Sequence, residues 1–235
     1  MSHELRTPLN SLLILSKSLA KNKTGNLTLA QQEDAQVIHD GGQDLLELIN
    51  DIMDLSKVEA GMLVLTMERV ELTVVANNTL TLFGRTAEEK GLDFSVSVAP
   101  ELDKTIYSDG QRLQQIIKNL TSNALKFTRK GFVSINIHGI DPDIPFHLNK
   151  LTSENGLAIS VSDSGEGISV EKQQAIFDAF QQEDGSTSRE FGGTGLGLAI
   201  SKELARLLCG EIHLQSVKGE GSTFTLFIPK HWDES

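Results

Sequence analysis

Four stretches of this 235-residue chain carry residue types whose spacing could do chemistry. The first is Ser2-His3-Glu4-Leu5-Arg6-Thr7-Pro8. An imidazole with one free ring nitrogen is a nucleophile, and a neighbouring carboxylate can take the proton from the other nitrogen. If Leu5, Leu9 and Leu12 form a buried helical seam, a rotation of about 100° per residue turns His3 away from it, toward solvent. Pro8 supplies no N–H to the Glu4 carbonyl and is expected to bend the helix beside the reactive group. The second stretch runs from Asn119 to Phe127, where Asn119, Asn123 and Lys126 recur at i, i+4 and i+7. One helical face then presents amide oxygens, which suit Mg²⁺, beside an ammonium, which suits phosphate.

The third stretch, Asp163-Ser-Gly165-Glu-Gly167-Ile168, follows an apolar run. An aspartate at a strand end can accept a hydrogen bond from a purine amino group, and glycines let backbone approach a flat base. The fourth is Gly192-Gly193-Thr194-Gly195-Leu196-Gly197, leading into an amphipathic helix. Backbone N–H groups at such a helix start attract phosphate. The pattern is neither Gly-Lys-Ser/Thr nor Gly-x-Gly-x-x-Gly. Between these last two stretches, residues 181–191 are polar and read as a lid over a ligand. Each stretch also has a plain reading: a solvated histidine, a polar helix face, a turn, a loop.

These residues must be positioned by two different kinds of scaffold. Leu5, Leu9, Leu12, Ser16 and Leu19 keep helical spacing, residues 22–28 have turn composition, and Ile38, Leu45, Ile49 and Ile52 resume a helical period toward Glu59. A helical hairpin over 1–60 follows, and its seams are expected to be covered by pairing two copies into a four-helix bundle. Ala60-Gly61 reads as a helix stop. Over 61–235 short β-like runs (94–98, 132–138, 157–161, 212–216, 223–228) alternate with helical ones (72–90, 111–127, 170–180, 198–208). That mixture predicts an α/β sandwich, an α+β chain overall, with residues 141–155 as a connecting loop. Residues 56–62 are the expected hinge between the two parts.

Composition excludes several classes. Net charge is −11, from 32 acidic and 21 basic residues, which repels phosphate backbones and anionic headgroups. Nucleic acid is not an expected partner. A lone cysteine, Cys209, forms no intrachain disulfide and suits a reducing compartment. No run approaches the roughly 20 apolar residues that span a bilayer, so no membrane contact is expected. The chain opens inside a helix-like pattern, which suggests a larger parent protein, itself anchored in a membrane or not.

Taken in order, His3-Glu4-Leu5-Arg6-Thr7-Pro8, 119–127, 163–167, Phe177-Asp178-Ala179-Phe180, 193–197 and Gly219-Glu220-Gly221-Ser222-Thr223 resemble the H, N, G1, F, G2 and G3 boxes of the sensor histidine kinases of two-component signalling. The resemblance implies a dimerisation and phosphotransfer hairpin joined to a gyrase-type ATP-binding sandwich. It implies His3 as phosphoacceptor, Glu4 as its base, and Thr7 as the residue orienting water when a partner is dephosphorylated. It implies Mg²⁺ on Asn123 with Asn119 nearby, and Lys126 on phosphate with Phe127 beside it. Asp163 would read adenine, in a pocket shaped by Gly165, Gly167 and Ile168. Gly193, Thr194, Gly195, Leu196 and Gly197 would cradle phosphates, Thr223 would lie near the adenine, and Arg189 would reach the γ-phosphate. ATP, a homodimer, a receiver-domain partner and a cytoplasmic location are the further implications. A gyrase-like ATPase and a nucleotide-responsive dimerisation scaffold without kinase activity are the alternatives.

Overall fold

The structure, a computed structural model, describes residues 2–146, 151–178 and 195–231, and the side chains of all of these except residues 2–5 and 59. The chain divides into two compact units, residues 1–63 and 64–235.

The first unit is a helical hairpin of α1 (Ser2–Lys21) and α2 (Leu29–Glu59). Helix α1 continues through Pro8, whose missing N–H costs only the Glu4 carbonyl its partner this close to the helix start. A capping box opens α2: the Gln31 N–H donates to Thr28 Oγ1 at 3.3 Å, and the Thr28 N–H donates to Gln31 Oε1 at 2.9 Å. Gly61, at φ +64°, closes α2, and the Met62 N–H reaches back to the Lys57 carbonyl at 2.8 Å.

The packing seam within the hairpin is only in part the one expected, since Leu9 and Ser16 belong to it. Leu9, Leu13 and Ser16 of α1 and Ala35 and Gly42 of α2 are buried, and a side chain at Gly42 would start 2.9 Å from Leu13 Cδ2. Arg6 Nη2 donates to Asn50 Oδ1 at 2.9 Å along the same seam. Leu12, Leu19, Ile38, Leu45 and Ile52 instead remain 40–54% exposed. The apolar residues of α1 are too many for one interface, so sequence spacing alone did not separate the inner stripe from the outer one.

The second unit is a five-stranded sheet covered on one face by helices. The strands are β1 (Glu68–Glu71), β2 (Asp93–Val98), β3 (Thr105–Ser108), β4 (Phe132–Gly139), β5 (Gly156–Asp163), β6 (Glu211–Val217) and β7 (Gly221–Pro229). The main sheet runs β2-β4-β5-β7-β6, with β2 and β4 parallel and the other neighbours antiparallel. Helices α3 (Leu72–Glu89), α4 (Gly110–Phe127) and α5 (Gly197–Leu207) supply Leu72, Leu113, Ile116, Leu120, Ile200 and Leu204 to a core shared with Ile135, Ile137 and Ile159. The opposite face carries hydroxyls and amides: Ser97 donates to Asn136 Oδ1, and Ser160 lies between His138 and Thr225. Only at one corner is it apolar, where Ile140 and Leu151, with Ile144 and Phe146, cover Ala158 and Phe227. The 141–155 connection thus packs in part on the sheet.

Two short strands escaped the sequence reading. β1 and β3 pair with each other, and only Val70, Ile106 and Ser108 are buried, too few residues to show a period. Conversely, in the described part of the helix expected over 170–180, residues 170–178, there are two 3₁₀ turns, Val170–Lys172 and Ala175–Phe177. None of their residues is buried, so nothing rewards a continued α-helix there.

Candidate active site

In the hairpin unit, His3 and Glu4 occupy the first turn of α1; their side chains lie outside the described residues. Thr7 is exposed one turn later, and its carbonyl accepts from Ser11 Oγ at 3.2 Å.

In the second unit, α4 is the element that lines up the amide face. Asp109 caps it, donating no proton but accepting the Arg112 N–H at 3.0 Å. Its apolar stripe buries Leu113, Ile116, Ile117, Leu120, Ala124 and Leu125, which leaves Asn119, Asn123 and Lys126 half-buried along one edge. Asn119 Nδ2 donates to the Gly197 carbonyl at 3.2 Å and to Ser201 Oγ at 3.3 Å. This amide therefore fastens α4 to the start of α5, and its oxygen is what it has left for a ligand. Burial lowers the Lys126 pKa, and its ammonium stands 4.8 Å from the centre of the half-exposed Phe127 ring. A desolvated cation of this kind gains most when an anion arrives.

Helix α5 begins at Gly197, and its N-cap residue, Leu196, gives the first N–H groups no side-chain hydrogen bond. Gly195 takes φ +69° and Leu196 is fully buried, anchoring the end of the glycine loop in the core. Gly193, Thr194 and Arg189 lie outside the described residues. Before the loop, the Phe177 ring packs edge-on against Phe224 at 6.2 Å, which holds the Phe177-Asp178 turn to β7.

Asp163 ends β5 almost fully buried. Desolvation raises its pKa; the Gly165 and Ser222 N–H groups oppose that rise, as does the nearby Thr128 hydroxyl, which is buried and finds no partner at ordinary hydrogen-bond geometry. The Gly165 N–H bond is 2.8 Å long. A side chain at Gly165 would begin 2.5 Å from the Phe127 carbonyl and 2.8 Å from Asp163 Oδ1, so the approach to the carboxylate exists only because position 165 has none. Gly167, at φ +60°, would put a side chain into the Val217 carbonyl.

The loop 164–168 is clamped from the β6–β7 turn. The Ile168 N–H donates to Ser216 Oγ at 2.7 Å, and the Gly219 N–H donates to the Glu166 carbonyl at 2.8 Å. Gln173 Nε2 uses both its protons, on the Ile168 carbonyl (3.0 Å) and the Ser216 carbonyl (2.9 Å). Ser216, Gln173, Ser222 and Thr128 were not legible as individual site residues, because tertiary packing brings together strands, the end of α4 and a 3₁₀ turn. Thr223, expected near the base, pairs with Ser162 and donates to its hydroxyl at 2.9 Å on the polar face. Its neighbour Ser222 stands opposite Asp163, on the same face of the sheet. The two-residue strand period decides between them.

A buried acceptor framed by glycine fits the edge of a purine, and amide oxygens, an ammonium and an uncapped helix start fit phosphates with Mg²⁺. A family profile described as "His Kinase A (phospho-acceptor) domain" matches residues 1–61, and one described as "Histidine kinase-, DNA gyrase B-, and HSP90-like ATPase" matches residues 108–231. The chain belongs to the sensor histidine kinases of two-component systems. Among curated relatives of this histidine kinase chain, the circadian input-output histidine kinase CikA of Synechococcus elongatus is 40% identical over 98% of the chain and 29% of the relative. The signal transduction histidine-protein kinase BarA of Escherichia coli is 36% identical over 97% of the chain and 24% of the relative. Full-length ShkA, solved in complex with AMPPNP, superposes with a TM-score of 0.77 at 31% identity, over 97% of this chain and 44% of that one. The chain therefore spans less than a third of the length of these curated relatives. Among its described residues, no helix is long and apolar enough to cross a membrane.

Proposed function

We propose that this chain is an ATP-dependent autokinase that phosphorylates its own His3 and passes the phosphoryl group to the aspartate of a receiver domain, with Thr7 orienting the water that hydrolyses the partner's phosphoryl group to inorganic phosphate. The observation that carries the reading is the buried Asp163 carboxylate, beside which Gly165 leaves the space a side chain would fill, in the same unit as the α4–α5 clasp. Bound ATP with Mg²⁺ supplies the transferable phosphoryl group and the cation that neutralises it.

The chain's own residues do the rest. Asp163, with Ser222 in the place first assigned to Thr223, accepts from the purine amino group, and Gly165, Gly167 and Ile168 bound the base. Asn123 offers its oxygen to the cation, while Asn119 keeps α4 and α5 in register. Lys126, Arg189 and the N–H groups at Gly193, Thr194, Gly195 and Gly197 take the phosphate charge, with Phe127 and Leu196 as their apolar footing. His3 accepts the phosphoryl group on one ring nitrogen and Glu4 takes the proton from the other. A homodimer is supported by the outward stripe of Leu12, Leu19, Ile38, Leu45 and Ile52, which a second hairpin could cover. The acidic net charge supports a protein partner over nucleic acid.

Incubation with γ-labelled ATP and Mg²⁺, beside His3→Gln, tests the reading. Label that is stable in base, lost in acid and absent from the variant is expected. ATP hydrolysis without protein label indicates a gyrase-like ATPase, and binding without either indicates a scaffold.

A further inference from the structure

We propose that Asp109 is a positioning residue that sets the length of the tether between the histidine hairpin and the ATP-binding unit and locks that tether to the helix carrying Asn119, Asn123 and Lys126. Its carboxylate is 4% exposed and both oxygens are spent on backbone. Oδ1 accepts the Arg112 N–H at 3.0 Å and caps α4; Oδ2 accepts the Thr66 N–H at 2.8 Å, 43 residues away in sequence. Capping explains only one of these bonds, since Asn or Ser caps a helix about as well with a single oxygen. The second bond attaches the incoming chain. Charge-assisted bonds to backbone N–H groups are among the stronger ones, and this one is part-buried although Thr66 itself is exposed.

On the other side, the last bond of the hairpin is the Met62 N–H to the Lys57 carbonyl, at 2.8 Å. Residues 63–65 alone lie between these two anchors. If Thr66 were released, the next ordered pairing would be Glu68 with Ser108, and the tether would grow from three residues to five. That adds roughly 7 Å of reach. For a tether already long enough for its span, effective concentration falls roughly as the −3/2 power of length, which from three to five residues is about a two-fold drop in phosphoryl delivery. Because the same carboxylate heads α4, the tether end and the phosphate-binding edge move as one piece. This places the flexible joint at 63–65, just beyond the hinge first expected over 56–62.

The transfer part of this inference rests on the proposed kinase activity; the tether part does not. Asp109→Asn keeps the cap oxygen and turns an NH₂ toward the Thr66 N–H. Thr66→Pro removes the donor and leaves Asp109 in place. In both variants we expect ADP affinity within about two-fold of the unaltered chain. Cleavage by a nonspecific protease at 63–67 should rise several-fold, and His3 labelling per bound nucleotide should fall at least two-fold. In the unaltered chain and in Asp109→Asn, amide exchange at Arg112 should stay slow, while Thr66, slow in the former, becomes fast in the latter. Rapid exchange of Thr66 in the unaltered chain overturns the proposal. So does an equal loss of ADP affinity and labelling, which makes Asp109 a folding residue only, or cleavage unchanged in both variants. A chain that binds ADP but never labels His3 removes the kinase reading, and the exchange and cleavage results still decide the tether.

Discussion

The two units solve the same burial problem to different degrees. In the ATP-binding unit, Leu113, Ile116, Leu120, Ile159, Leu196 and Leu204 are essentially inaccessible, and the exposed sheet face is paid over to hydroxyls and amides that bond one another. In the hairpin, Leu9, Leu13, Ser16, Ala35, Gly42 and Val58 are the buried ones among the described residues, while a stripe of leucines and isoleucines faces outward. One unit closes its core within a single chain; the other leaves apolar surface that association would remove. Stability of the first should be independent of concentration, and stability of the second should not.

The largest effect that sharpens this contrast is expected from Leu113→Ala, which should cost about 2–5 kcal/mol in the ATP-binding unit by opening a cavity in a closed core. Calorimetry would show that transition shifted at every protein concentration, with the hairpin transition in place. Leu19→Asp with Leu45→Asp should do the reverse. Each leucine forfeits about 1.5–3 kcal/mol of burial, so sedimentation should show the dimer weakened by at least 100-fold with nucleotide affinity retained. A dimer that survives the pair would place the interface elsewhere.

Asp163→Asn separates binding from folding in the closed unit. It keeps an oxygen for the Gly165 N–H but presents an NH₂ to a purine amino group. Loss of a charged hydrogen bond is worth about 1.5–3 kcal/mol, so calorimetric ADP affinity should fall roughly 10- to 150-fold. Burial raises the Asp163 pKa, so its ionised form opposes folding: stability is greatest below the unfolded value and declines as pH rises through the raised one. At neutral pH the Asn variant should therefore melt no lower than the unaltered chain. ADP affinity should weaken on acidification from a higher pH than an ordinary aspartate would dictate.

Gln173→Ala cuts the double bridge from the 3₁₀ turn to Ile168 and Ser216. At about 1 kcal/mol per neutral bond, ADP affinity should fall some 5- to 30-fold, and an unchanged value would show that Ser216 and the Gly219 N–H suffice. The smallest effect belongs to the middle of α2. Gly41 has open space around its Cβ position and Gly41→Ala should stabilise the hairpin by about 0.5–1 kcal/mol. Gly42→Ala should gain less or lose, because Leu13 Cδ2 must move aside. Circular-dichroism melts of the two variants would order them.

How much could be read in advance follows from range. The hairpin, the turn at residues 22–28, the stop at Ala60-Gly61, the strands β2 and β4–β7 and the helices α3, α4 and α5 all rest on local periodicity and on glycine or capping chemistry, which neighbouring residues carry among themselves. So do the candidate clusters around His3, Asn123, Asp163 and Gly195, whose residue types stand together in the sequence. Tertiary structure alone decided which leucines of α1 turn inward, because helix spacing permits several stripes and only α2 selects one. It also decided that Ser222 and not Thr223 stands beside Asp163, that Gln173 and Ser216 clamp the 164–168 loop, and that Asp109 holds Thr66. Each of those pairings joins residues far apart in sequence, where the closing of a long loop, and no local preference, determines who meets whom.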